Sequence, residues 1–359
     1  MSRKAFLILE NGKVFEGKGF GAEKDAVGEI VFTTSMVGYL ETITEPSYFG
    51  QVVVQTFPAI GNYGVVPAEF QSNSPALKAY IVRNRCQEPS NFRCEGILDT
   101  FLKDSGIPGL YGVDTRAITK IIRENGVMSC KITSTLDNLE ADLAELKSYK
   151  IENAVKAVSP TEVTTINSEN PKCNVALWNF GAKSKIVNAL TERGCNVTAF
   201  PATATADEIL AINPDGIMLS DGPGDPKENT EIVENLKALC EKKIPMFGIG
   251  LGHQLLALAK GADTEKLHYG HRGASQPAVY LETGRVYITS QNHGYTVAPE
   301  SLPECAKLTF KNANDGTCEG LTYTDMPAFS AQFYPEIFGN ELSTAFLFDK
   351  FVALVMENK

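Results

Sequence analysis

The chain has 359 residues, of which 43% are hydrophobic and 21% charged, and its formal net charge is −10. That length exceeds what one ordinary core needs and points to two domains, while the composition excludes a disordered chain and a membrane-spanning one. The acidic balance, with no run of Lys or Arg long enough to track phosphates, argues against nucleic acid as a partner.

Residues 5–9 form an apolar run too short for a signal sequence, and Glu10, Asn11 and Gly12 follow directly, so no targeting segment is expected and the compartment expected is the cytoplasm. The eight cysteines include no CxxC pair, which signals neither a zinc site nor a disulfide framework; no metal is expected. Up to about residue 150, short extended runs such as residues 51–57, stopped by Pro58, predict a strand-rich domain with modest helices. One helix stands out there, because Ile118, Ile121 and Ile122 recur at helical spacing between Thr115 and Asn125 and Gly126 supplies a stop.

Residues 153–171 are polar and rich in Thr and Ser, without a sustained apolar period, and read as a linker between a domain spanning 1–152 and another spanning 172–359. Beyond the linker the rhythm changes. Residues 174–178 predict a strand, Lys183 to Arg193 a helix closed by Gly194, 196–200 a strand, Ala206 to Ala211 a helix, and 216–220 a strand. Such alternation predicts an α/β domain with a mostly parallel sheet flanked by helices, whose ligands sit at the carboxyl ends of the strands.

Two loops at such strand ends are unusual. Ser220-Asp221-Gly222-Pro223-Gly224-Asp225-Pro226 carries glycines that let backbone N–H groups approach a ligand. Gly248-Ile249-Gly250-Leu251-Gly252, between an apolar strand and the apolar helix that follows, has the frame of a nucleophile elbow, in which a Ser or Cys is thrust out on a strained turn. The central residue here is Gly250.

These loops, with Gln291-Asn292-His293-Gly294-Tyr295 and Pro335-Glu336 in the same order and spacing, resemble a class I glutamine amidotransferase domain. The front half narrows the resemblance: residues 28–32, 34–39, 46–48, 61–64 and 112–116 are similar to the N-terminal domain of carbamoyl-phosphate synthase small subunits. The resemblance implies a subunit that hydrolyses glutamine and passes ammonia through a tunnel to a large subunit, which consumes ATP, with magnesium, and bicarbonate. Its product, carbamoyl phosphate, feeds pyrimidine and arginine synthesis. No cofactor is implied in this chain itself. By resemblance the glutamine site comprises Ser47, Gly222, Gly224, Leu251, Gln254, Asn292, Gly294 and Tyr295, with the N–H groups of Gly222 and Leu251 as the oxyanion hole.

The chain departs from that family pattern at two catalytic positions. Gly250 stands where the nucleophilic Cys is implied, and Tyr334 where the basic His is implied; of the three catalytic residues only the orienting acid, Glu336, remains. Glycine offers no thiolate, and a phenol, with an ordinary pKa near ~10, is a poor proton acceptor at pH 7. Glutamine hydrolysis by the family mechanism is therefore expected to be lost, leaving an ammonia-dependent complex. His253 and His293 read as structural histidines beside the pocket, and Cys240 and Cys318 as unreactive thiols. Residues 337–341 stand where the family carries a Pro- and Gly-rich segment, so two apolar side chains, Ile337 and Phe338, are expected to narrow the pocket mouth. Two alternatives stay open: a sensor that binds glutamine without turning it over, and a glutaminase with a different nucleophile.

Overall fold

Runs of β-branched residues that are apolar on both sides make strands buried on both faces. In β4 the successive residues Val52, Val53 and Val54 are all fully buried, with Val52 and Val54 packed in one cluster and Val53 in another. A computed structural model describes residues 3–335 and 343–359 of the chain, which divides into two compact units, residues 1–152 and 153–359.

The first unit contains β1 (Arg3–Leu9), β2 (Val14–Gly21), β3 (Ala26–Thr33), β4 (Gln51–Gln55), β5 (Ala59–Ile60), β6 (Ala79–Val82), β7 (Asn84–Arg85), β8 (Pro108–Tyr111) and β9 (Met128–Thr133). Among the described residues these close a barrel in the order β1-β2-β8-β6-β4-β3-β9, with β5 and β7 paired apart from it. Helices α1 (Tyr39–Thr44) and α2 (Leu98–Asp104) cover one face of the wall and α3 (Thr115–Asn125) the other; α4 (Leu139–Ser148) follows. The α3 limits agree with the sequence: Asp114 accepts a hydrogen bond from the Ala117 amide at 3.0 Å, and Gly126 ends the helix at φ 84°.

The second unit opens with α5 (Ala154–Val158) and β10 (Thr164–Ile166), then β11 (Cys173–Asn179), α6 (Ser184–Thr191), β12 (Cys195–Pro201), α7 (Ala206–Leu210), β13 (Gly216–Leu219), α8 (Thr230–Glu241), β14 (Met246–Ile249) and α9 (Leu251–Ala259). It ends with β15 (Thr264–Tyr280), β16 (Arg285–Val297), β17 (Ala306–Asn312), β18 (Cys318–Tyr323), β19 (Ala328–Ala331) and α10 (Phe346–Glu357). One sheet joins the strands in the order β10-β12-β11-β13-β14-β19-β18-β17-β15-β16. Its centre, β12 through β19, is parallel, and β18, β17, β15 and β16 extend it antiparallel. Side chains alternate between two cores: Ala176 and Trp178 of β11 pack with α7, α8 and α9, whereas Val175 and Leu177 pack with α6 and α10. Among the described residues no helix is long and apolar enough to cross a membrane.

The linker expected over 153–171 is corrected by the structure. Helix α5 buries Ala154 and Val155 in the core of the second unit, and β10 pairs antiparallel with β12. An edge strand is held through its backbone, so the exposed Thr164, Thr165 and Ile166 carry no apolar period to read.

Candidate functional site

Four neighbouring parallel strands, β11, β13, β14 and β19, converge at their carboxyl ends, where such sheets bind ligands. After them come, in turn, Lys183, Asp221, Gly250 and Tyr334.

Gly250 connects β14 to α9 at φ 55° and ψ −111°, a conformation that strains any residue bearing a Cβ by about 1–3 kcal/mol. Its amide donates to the Ala331 carbonyl at 2.9 Å, which fastens the turn to the neighbouring strand. Gly252 is required for a different reason, since a Cβ there would overlap the Leu219 carbonyl oxygen where α9 crosses β13. The frame is therefore that of a nucleophile elbow. A Cβ at position 250 would point between Asp221, with Cβ 3.1 Å away, and Tyr334, with Cε1 3.8 Å away.

That space is lined by groups that bind one another. Lys183 and Asp221 are each 1% exposed and form an ion pair at 3.4 Å, and the Lys183 ammonium lies over the Tyr334 ring. Tyr334 is buried in the apolar core beside α10, and its hydroxyl donates to the Asn292 carbonyl at 3.2 Å. Asp221 lies in a loop the sequence singles out for its glycines, but its pairing with Lys183 is not announced by the sequence. Their common placement just beyond adjacent strands is the signal that would find them.

The remaining candidates divide. Gly222 and Leu251 meet: a Cβ on Gly222 would lie 2.9 Å from Leu251 Cδ2, so the two loops of the expected oxyanion hole are in contact. Gly224 lies two residues along the same loop. Gln254 is buried, and its amide donates to the Tyr295 carbonyl at 2.7 Å and to Gln332 Oε1 at 2.9 Å. Asn292, Gly294 and Tyr295 lie on β16, where Gly294 faces the Arg272 guanidinium and Lys266 lies over the Tyr295 ring. Ser47 belongs to the first unit, in the short turn Pro46–Tyr48, with a buried hydroxyl that makes no hydrogen bond among the described residues. Glu336 and residues 337–341 lie outside the described residues.

His253 and His293 are both buried and held by internal hydrogen bonds. His253 is fully buried with Nδ1 2.7 Å from Ser330 Oγ, and burial lowers its pKa to about 3. His293 donates from Nδ1 to the Tyr295 carbonyl at 2.7 Å. Cys318 begins β18, where its Sγ lies 4.0 Å from His253 Nε2. Burial pushes the Cys318 thiol up to about 12 and the Cys240 thiol to about 11. A thiol held protonated beside an imidazole held neutral is the reverse of a catalytic Cys–His pair.

Residues 7–132 match the family model for the carbamoyl-phosphate synthase small chain, CPSase domain, and residues 176–354 match that for class-I glutamine amidotransferases. The carbamoyl phosphate synthase small chain of Clostridium perfringens is 48% identical over 349 residues, covering 97% of this chain and 99% of the relative. That of Clostridium acetobutylicum is 47% identical over 357 residues, covering 98% of this chain and all of the relative. The chain thus spans the full length of these relatives.

Proposed function

Because the chain belongs to the family of carbamoyl phosphate synthase small chains, we propose that it docks on a large synthase subunit without hydrolysing glutamine, and that the complex uses free ammonia. The observation that carries this reading is the elbow: its turn is intact, and its central position bears no side chain. No thioester forms at Gly250. Tyr334 sits at the position of the base, but its hydroxyl donates to a carbonyl and its ring packs on Lys183. Triad members act as a unit, so losing the nucleophile alone removes about 10⁴–10⁶-fold in rate, and losing the base as well adds little.

In this reading the chain needs no cofactor, and ATP and magnesium are used by the large subunit, in the cytoplasm, to supply carbamoyl phosphate for pyrimidine and arginine synthesis. Two observations weigh against the alternatives. The Gln254 amide is taken up by internal hydrogen bonds, which disfavours a glutamine sensor. The Cys318–His253 contact lies in the wrong ionisation states for a substitute nucleophile.

The test is carbamoyl phosphate formation by the purified complex with ATP, magnesium and bicarbonate, supplied with saturating glutamine or with ammonium. Product from ammonium alone supports the proposal. Product from glutamine at a comparable rate overturns it, and heat released on titrating glutamine without turnover would replace it with the sensor.

A further inference from the structure

Away from the elbow, in the antiparallel part of the sheet, three strands bring together His271 of β15, His293 of β16 and Glu319 of β18. All three are at least nine-tenths buried, and ligand atoms of the three lie within 4.8 Å of one another. The hydrogen bonds around them fix which atoms face inward. His271 Nε2 lies 2.8 Å from Asp315 Oδ2, and because a carboxylate only accepts, the proton is on Nε2. Nδ1 lies 3.5 Å from Glu319 Oε1 and makes no hydrogen bond among the described residues; burial lowers the ring's pKa, but the Glu319 and Asp315 carboxylates raise it by more, and a metal would take the place of a proton on Nδ1.

The same logic holds for His293. Its Nδ1–H donates to the Tyr295 carbonyl, so Nε2 of the neutral ring presents its lone pair 3.0 Å from Gln291 Oε1. Gln291 cannot be turned around to relieve this, because its Nε2 donates to Glu319 Oε2 at 2.8 Å and to Thr289 Oγ1 at 3.1 Å. Asn312 Nδ2 holds Glu319 Oε1 from the other side at 2.8 Å. Ligand atoms of His271, His293 and Glu319 therefore face one another inside the sheet, with the Gln291 amide oxygen 3.0 Å from His293 Nε2.

We propose that His271, His293, Glu319 and Gln291 form a binding site for a divalent transition metal, with zinc the best match. Two imidazoles and a carboxylate with a fourth oxygen are a usual zinc set, and the outer ring N–H groups, given to Asp315 and to a backbone carbonyl, provide the orientation that metal-binding histidines use. Oxygen-only cations such as calcium and magnesium do not suit the two imidazoles. The metal would pin β15, β16 and β18 together. It would be structural, because the donors are buried and leave no open position for a substrate.

The experiment uses the full chain, stripped with chelator and titrated with zinc against a chromogenic competitor, with metal content measured by mass spectrometry after dialysis. The expected result is one zinc retained per chain, and cobalt in its place giving the visible absorption of a tetrahedral site. His271→Ala should abolish retention. Asp315→Asn, in a partly exposed turn, keeps an amide oxygen for the two hydrogen bonds that Asp315 Oδ1 accepts from Thr317 and removes the charge facing the outer N–H, so it should leave the fold intact and weaken zinc binding about 10–100-fold. His268→Ala, an exposed histidine on the same strand, should change nothing. Failure of the wild-type chain to retain zinc, or equal affinity in Asp315→Asn and wild type, would overturn the proposal.

Discussion

Adding one methyl group at the elbow, Gly250→Ala, tests the reading of the site most directly. At φ 55° and ψ −111° the backbone strain for a residue with a Cβ is about 1–3 kcal/mol. The new Cβ would also lie 3.1 Å from Asp221 Cβ, an overpacking that adds about 1 kcal/mol. The substitution should therefore destabilise the second unit by about 2–4 kcal/mol. Gly284→Ala is the matched control: φ is 73°, but a Cβ there meets nothing within 4 Å, so only the left-handed cost of about 1–2 kcal/mol applies. The assay is urea unfolding followed by the single tryptophan, Trp178, fully buried in β11, so its fluorescence reports the second unit alone. With urea slopes of about 1–3 kcal/mol/M, Gly250→Ala should lower the midpoint by about 1 M or more, and Gly284→Ala by clearly less. Equal midpoints for the two variants would refute the claim that the turn is held in its strained form and that Asp221 closes on it.

Further outcomes follow from the same geometry. Gly250→Cys alone should leave glutamine hydrolysis at background in a steady-state ammonia-release assay, because no base takes the thiol proton; turnover in that variant would assign Tyr334 or Lys183 a catalytic role. A double-mutant cycle of Lys183→Met and Asp221→Asn, read by unfolding, should show a coupling of about 1–3 kcal/mol, whereas simple additivity would mean that the buried pair is not energetically linked. His253 has its pKa depressed by burial from the usual 6.5 to about 3, so the unfolded chain binds a proton that the folded chain refuses between those values. Its contribution is whole above pH 6.5 and is lost as pH falls, by about 1.4 kcal/mol per unit and about 2 kcal/mol by pH 5. The stability difference between wild type and His253→Asn should follow that slope, and a difference independent of pH would contradict it.

Local features were readable where one residue type has one physical use. The spacing of Ile118, Ile121 and Ile122 with the Gly126 stop marks α3, and the spacing of Gly248, Gly250 and Gly252 marks the elbow before any coordinates. Features made by distant partners were not. Lys183 looks like a solvated lysine until Asp221, from a strand two places later in the chain, is brought against it. The buried side chains of His271, His293 and Glu319 come from three strands, so no short spacing advertises their meeting. The barrel closes through pairs such as β1 with β9, separated by more than a hundred residues, and the edge strand β10 is held by its backbone alone. The strands of the antiparallel extension are hard to delimit from sequence, because register shifts in β15 break the alternation that reveals a strand.

The bond from the Gly250 amide to the Ala331 carbonyl sets an order of events during synthesis. β14 is flanked by β13 and β19, and β19 leaves the ribosome about eighty residues after β14. The strands before the elbow are available to assemble early, but the turn itself has no partner for its amide until β18 and β19 have been made and a long loop has closed. The elbow is thus among the last parts of the second unit to become native, and a nascent chain truncated before Ala331 should present an apolar, half-finished sheet edge to the chaperones that meet it.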